Sequence, residues 1–427
     1  MAHTDLRSKK FTIVSPLPGR QPHSQSRCIQ VTNTSNQDYD QWPIGIAVAS
    51  DGRMFASYTR GEYRYTLGVV VNETAEEPYP SLDLNLPVAQ LNTTWNGIDF
   101  GSNNSSAFIS VQALYITPQS AATGRPETLW ALDTGRPTIL DSQGSPVMPY
   151  AQPGGPKLVA ISLANNSIYE THTFPPSVHY PSSYLNDLRF DLRPNLPGTT
   201  GKGIAYLVDS SDEGRPGFIM LDLGTGTSWR RLDQDKSVLR GPNDVPSYAG
   251  RPFYYSAPGK PTSWLREGLD GLQITPDGER MYYSPLTANT LYSIPTANLR
   301  ERPETHPSAE LSARANVSSH GQRGGNANGF EGDDRGNIYQ LMPEHNAVYV
   351  YDSSIHGSGQ TEGFVRDPRI LWPDGASVGA DGYLYLNINQ LFYQPGWNGG
   401  VDSREHPGAI LRVRLPGGGK KIEGLFP

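Results

Sequence analysis

Six copies of one strand–turn–strand pattern, a chain rich in turn formers and tyrosine, and the lack of any long apolar run predict an all-β fold. The specific expectation is a six-bladed β-propeller of four-stranded blades. The 427 residues include 45 Gly, 37 Pro and 23 Tyr, a composition that suits many turns and short strands better than long helices. The most legible copy is Asp270-Gly-Leu-Gln-Ile-Thr-Pro-Asp-Gly-Glu-Arg-Met-Tyr-Tyr-Ser. It reads as a strand, an Asp277-Gly278 turn and a second strand, with glycine supplying the positive φ of the turn.

The copies begin in order at Ile44, Gln112, Asp187, Asp270, Asn328 and Asp374. Each is followed by a second strand: Met54–Tyr58, Leu129–Leu132, Ile204–Val208, Met281–Ser284, Ile338–Leu341 and Tyr383–Leu386. Third strands follow at Leu67–Val71, Leu158–Ser162, Phe218–Asp222, Leu291–Ile294, Val348–Tyr351 and Ile410–Val413. Outermost strands are fainter; Ser228–Leu232 is one. The last blade shows only three strands, so Phe11–Val14 or Cys28–Val31 should complete it and close the ring. The chain then reads as one propeller domain over 1–427, with its repeats over about 40–415. A pair of β-sandwiches would not explain six copies of one pattern.

At 36% hydrophobic and 18% charged residues, the chain is too apolar for disorder and long enough for a large core. A net charge of −7 with no basic run excludes the footprint of a nucleic-acid binder. No stretch approaches the ~20 apolar residues of a membrane span. The lone cysteine, Cys28, excludes an internal disulfide and any multi-cysteine metal site; it reads as a small core residue. Met1–Lys10 has no apolar signal core. Seven glycosylation sequons, at Asn33, Asn72, Asn92, Asn103, Asn104, Asn165 and Asn316, nevertheless favour the secretory pathway, with a signal peptide absent from this chain. A cytoplasmic location is the alternative.

Propeller geometry places the first residue of each copy at one rim of the central channel. Loops just before those residues line the same opening and carry Trp42, Trp95, Tyr180, Tyr184, Trp264, Arg266, His320, Arg323 and Trp372. An aromatic mouth with converging polar groups is the usual form of a small-molecule site. Asp187 and Asp270 are the candidate catalytic acids. Trp42, Gln112, Tyr184, Trp264, His320, Arg323, Asn328, Trp372 and Asp374 are the candidate substrate contacts. The plainer reading is that each Asp before Gly merely caps a turn. Gly321–Gly329 lacks the Lys-Ser/Thr and helix of a P-loop, no nucleophile elbow or His-Glu-x-x-His is present, and no cofactor fingerprint appears. No cofactor and no metal are therefore expected. The expected partners are hydrophobic small molecules.

Three blocks carry a family resemblance: Gly203–Leu232, Asp270–Ile274 with its continuation Met281–Thr296, and Leu129-Trp-Ala-Leu-Asp-Thr-Gly135. They resemble the major royal jelly protein/Yellow family. The resemblance implies a six-bladed propeller, in agreement with the repeats. Fungal members that this chain resembles include hetero-Diels–Alderases, which join a tropolone quinone methide to a humulene-type sesquiterpene alkene. The implied function is thus a cyclase of meroterpenoid biosynthesis. The family also implies two alternatives, a dopachrome-type tautomerase and a non-catalytic secreted binding protein. A third alternative is a gluconolactonase-like metal enzyme, for which Asp187, Asp270 and Asn328 occupy comparable places. Ile44, however, stands where that pattern wants Glu, and a hard-cation site short of a carboxylate is weakened.

Overall fold

The computed structural model describes residues 30–32, 42–58, 65–72, 75–85, 107–140, 146–152, 154–213, 215–354, 360–406 and 408–427. Six four-stranded antiparallel sheets form the blades of a propeller. The innermost strands, in chain order, are Pro43–Val48, Val111–Thr117, Leu185–Asp191, Leu269–Ile274, Phe330–Gly332 and Pro373–Val378. Each packs against the next, and the sixth packs back against the first. Second strands run Met54–Tyr58, Thr128–Asp133, Ile204–Asp209, Arg280–Pro285, Asn337–Met342 and Tyr383–Ile388. They match the sequence expectation to within two residues, because apolar residues of these strands are buried between blades.

The sixth sheet is completed by Gln30–Thr32, which pairs antiparallel with Ala409–Arg414 in the register Gln30↔Arg412. This agrees with the second of the two expected closing strands, displaced by two residues; Phe11–Val14 and Cys28 lie outside the described residues. The outermost strand of blade 3, expected at Ser228–Leu232, is Ser228–Arg231. The hairpin turns are as expected: Gly52, Gly278 and Gly382 have φ of 88°, 71° and 76°.

The Asp-Gly and Asn-Gly pairs at the other end of the inner strands are not turns. A Cβ on Gly271 would stand 2.6 Å from the Asn328 carbonyl oxygen, and one on Gly329 would stand 2.6 Å from that of Asp374. Glycine is required there because neighbouring inner strands approach backbone to backbone. A register shift marks the same place in five blades, between Pro43 and Gly45, Val111 and Ala113, Leu185 and Leu188, Leu269 and Gly271, and Pro373 and Ala376. Such bulges re-aim a side chain, here toward the axis.

Arg189 ties three blades together. Its guanidinium donates to Gln273 Oε1 at 2.7 Å, to Asp187 Oδ1 at 3.0 Å, to the Leu188 carbonyl at 2.6 Å and to the Phe330 carbonyl. Glu331 lies 3.9 Å away. Replacing a buried ion's only close partner leaves the remaining charge unpaired. Arg189→Met should therefore destabilise the fold by about 3–5 kcal/mol in chemical denaturation. The loss should be smaller near pH 5, where the orphaned carboxyls can take up protons, than near pH 8.

Candidate functional site

The starts of the inner strands, bulged in five of the blades, place Ile44, Gln112, Asn186, Asp270, Asn328 and Asp374 around the channel. Five of these are positions read from the sequence as copy starts. In blade 3 the structure corrects the register. Asn186 is level with Asp270, whereas Asp187 occupies the place that glycine or alanine holds in the other blades. The bulge between Leu185 and Leu188 holds both Asn186 and Asp187, as the bulge between Pro373 and Ala376 holds Asp374 and Gly375. Asp187 still lines the channel, one step further in, where Arg189 meets it. This space has room for about two waters. The channel is a narrow cup, with Arg189 among its lining residues.

Amides rather than cations satisfy most of the rim carboxyl oxygens. Asn186 Nδ2 donates to Asp270 Oδ1 at 2.9 Å. Asn328 Nδ2 donates to Asp374 Oδ1 at 2.6 Å, and Asn389 Nδ2 donates to Asp374 Oδ2. Asp270 is 2% exposed, and its Oδ2 has no hydrogen-bond partner among the described residues. Burial pushes the Asp270 carboxyl well above the usual range, reinforced by Asp374, Asp187 and Glu267. Burial likewise raises Asp374 to about 7 against the two amide donors. It raises Asp187 to about 6 against Arg189. Glu267, which sequence reading missed, is pushed up to about 7 by burial.

Above the cup stands an aromatic canopy. The connection into blade 4 and the segment after Ile388 interleave, with Phe253 stacked on Trp397 at 4.2 Å and Tyr248 on Phe392 at 3.7 Å. The Ser256 N–H donates to the Gly396 carbonyl at 2.8 Å and joins the two segments. The canopy shares the channel's polar end, because its Trp372 immediately precedes the inner strand of blade 6. Trp264 lies at its edge, 36% exposed, opposite Tyr254 in a short hairpin.

Several expected contacts are placed otherwise. Trp372 is buried against Phe253 and Phe392, so it builds the canopy instead of facing a ligand. Trp42 is buried with the Arg404 guanidinium over its ring at 4.8 Å and His406 beside it. Arg323 is buried and donates to the carbonyls of Ala288, Pro285, Gly325 and Thr290, which makes it a brace of the loop. His320 is not at the rim. It belongs to the outermost strand of blade 4, Ser318–Gln322, between Tyr282 and Tyr351. Tyr184 does reach the rim and donates to Gln112 Oε1 at 2.5 Å. Trp95 lies outside the described residues.

A six-bladed propeller with a polar, carboxyl-bearing cup beneath an aromatic canopy defines the class of protein. Within that class, residues 121–392 match the sequence model of the major royal jelly protein family. That span is well over half of the chain, and the chain belongs to this family. Among solved structures, a luciferin-regenerating enzyme superposes with a TM-score of 0.50 at 11% identity, covering 93% of this chain and 99% of that one. Regucalcin from Agrobacterium tumefaciens gives a TM-score of 0.45 at 11% identity, covering 91% and 95%. The first of these likenesses supports the fold alone. No curated protein matches the chain. Among the described residues, no three His, Cys, Asp or Glu side chains converge to hold a metal ion, and no helix is long and apolar enough to cross a membrane.

The raised carboxyls fix the sign of a pH effect. Each binds its proton more tightly folded than unfolded, so folding takes up protons between the unfolded carboxyl range and about pH 7. Their contribution to stability is fully present below about pH 4 and is lost as pH rises through the folded values of about 6 for Asp187 and about 7 for Asp374. Asp374→Asn should flatten the decline in thermal midpoint between about pH 5 and about pH 8. An unchanged slope would show that Asp374 is ionised in the folded protein throughout.

Proposed function

We propose that the protein is a small-molecule enzyme of natural-product biosynthesis, a hetero-Diels–Alderase. It would hold a reactive quinone methide and a humulene-type alkene at the mouth of the cup, with Asp270 as donor to the heterodiene oxygen. One observation carries this reading: a buried carboxyl whose second oxygen has no partner among the described residues. Such a group is held neutral, and a neutral carboxyl donates a hydrogen bond where a carboxylate cannot. In the cycloaddition the heterodiene oxygen becomes an ether oxygen and its terminal carbon forms the new carbon–carbon bond, with no net proton transfer. The protein therefore has to orient the partners and polarise one oxygen. The narrow cup would admit that oxygen alone, and the carbon skeletons would lie between the rim and the canopy edge at Trp264 and Tyr254.

A dopachrome-type tautomerase is the second reading. Asp374 at about 7 and Asp187 at about 6 could each give and take a proton near neutrality. Product identity separates the two, a cycloadduct in one case and a proton-shifted isomer in the other. Asp270→Ala should lower kcat about 100-fold, while Asp270→Asn, which keeps an N–H donor, should retain more activity. Full rate and unchanged stereochemistry in Asp270→Ala would remove Asp270 from the reaction.

We also propose passage through the secretory pathway, supported by sequons whose Asn72, Asn165 and Asn316 are exposed. Glycosidase treatment of protein from a eukaryotic host should lower its mass. An unchanged mass would count against this location.

A further inference from the structure

We propose that Tyr184, Gln112 and Asn186 form a one-directional hydrogen-bond relay that places the Asp270 proton on Oδ2, the oxygen without a hydrogen-bond partner among the described residues. The inference rests on the donor reading of Asp270 and deepens it by naming the residues that aim the proton. The Tyr184 hydroxyl donates to Gln112 Oε1 at 2.5 Å. That contact turns Gln112 Nε2 toward Asn186 Oδ1, at 3.0 Å. Asn186 Oδ1 is thereby occupied as an acceptor, and its Nδ2 faces Asp270 Oδ1 at 2.9 Å and Ser210 Oγ at 3.0 Å.

An oxygen that receives an amide N–H along one direction cannot carry a proton in that direction, since two hydrogens would collide. The carbonyl oxygen of a neutral acid accepts a hydrogen bond better than its hydroxyl oxygen does, so the amide contact favours Oδ1 as the carbonyl oxygen and Oδ2 as the site of the proton. Reversing the relay would require both amides to turn over. Gln112 would then donate to the Tyr184 oxygen, and the Tyr184 proton would lose its acceptor. Asn186 would present an oxygen to Asp270 and to Ser210, and its contact with the Ser210 hydroxyl would reverse direction. The cost of reversal is the Tyr184 proton left without its acceptor in a poorly solvated place.

The groups whose charges bear on Asp270 are Asp374 from blade 6, Asp187 from blade 3, Glu267 from its own approach loop and Arg323 ahead of blade 5. The three carboxyls favour the neutral form, and the single cation opposes them. Gln112 and Tyr184, singled out in the sequence as substrate contacts, become positioning residues, joined by Asn186, which the sequence did not reveal.

Neutron diffraction from the deuterated full-length protein tests the relay without any substrate. Deuterium on Asp270 Oδ2, with Gln112 and Asn186 oriented as described, is expected. Deuterium on Oδ1, a bare carboxylate or reversed amides would each overturn the proposal. Infrared spectroscopy gives a second readout that a purely structural role would not move. The Asp270 acid carbonyl stretch, assigned by its loss in Asp270→Asn, should shift upward in Asn186→Ala as its amide donor is removed. A smaller upward shift is expected in Tyr184→Phe, the variant to use if Asn186→Ala does not fold, and an unmoved stretch would overturn the relay. Asp270→Ala kinetics report on the donor reading separately. Lost activity with deuterium on Oδ1 would reject the relay and keep the donor, whereas deuterium on Oδ2 with full activity would reject the donor.

Discussion

The guanidinium of Arg189 is the interaction on which the channel depends. It reaches from blade 3 to Gln273 in blade 4 and to the Phe330 carbonyl in blade 5, and it holds Asp187. Its five donors in a fixed fork suit a site where several acceptors converge. By committing this cation to Asp187 and Glu331, the fold leaves the rim carboxyls to amide partners. Asparagine side chains satisfy Asp374 and one oxygen of Asp270 without neutralising them. Those acids can then lie close to one another in the folded protein only by keeping protons.

The blades were legible because their hydrophobic strands and Asp-Gly turns recur in the same order, and a buried inter-blade surface leaves little freedom in strand position. The rim was legible in part. Asp270, Asn328 and Asp374 were found because each precedes glycine, although the reason is close contact between inner strands and not a turn. Asn186 was missed because blade 3 breaks that rule, with Asp187 where the others have a small residue. The pattern apolar–polar–small in Leu269-Asp270-Gly271, set against Leu185-Asn186, was the available signal. His320 and Arg323 were misplaced for a simpler reason. Sequence order ahead of an inner strand says nothing about the distance from the axis when the connection is long. His320 lies in an outer strand, and Arg323 spends its donors on loop carbonyls.

The canopy occupies the longest interval between repeats and the connection within the last blade. The longest interval, from Asp187 to Asp270, contains Tyr248, Phe253 and Tyr255, and the interval after Asp374 contains Phe392 and Trp397. Neither insert would bury its aromatic rings alone, and the two do so by stacking on each other. Trp372 joins them from a backbone of positive φ, 58°, which is costly for a bulky residue and persists only where packing enforces it. This roof is a property of the folded ring, since its two parts come from connections in different blades.

Blade 6 combines Gln30–Thr32 with three strands that end near Arg414. The pairing joins residues almost four hundred positions apart. Loop-closure entropy on that scale is met only after the intervening chain has become compact. Sealing of the ring is thereby a late event in folding, and during synthesis blades 1 to 5 must wait, with the last blade incomplete, until the strand Ala409–Arg414 has left the ribosome. Until then the unpaired edge of this sheet is open to other strands, so the waiting chain is the form most exposed to aggregation.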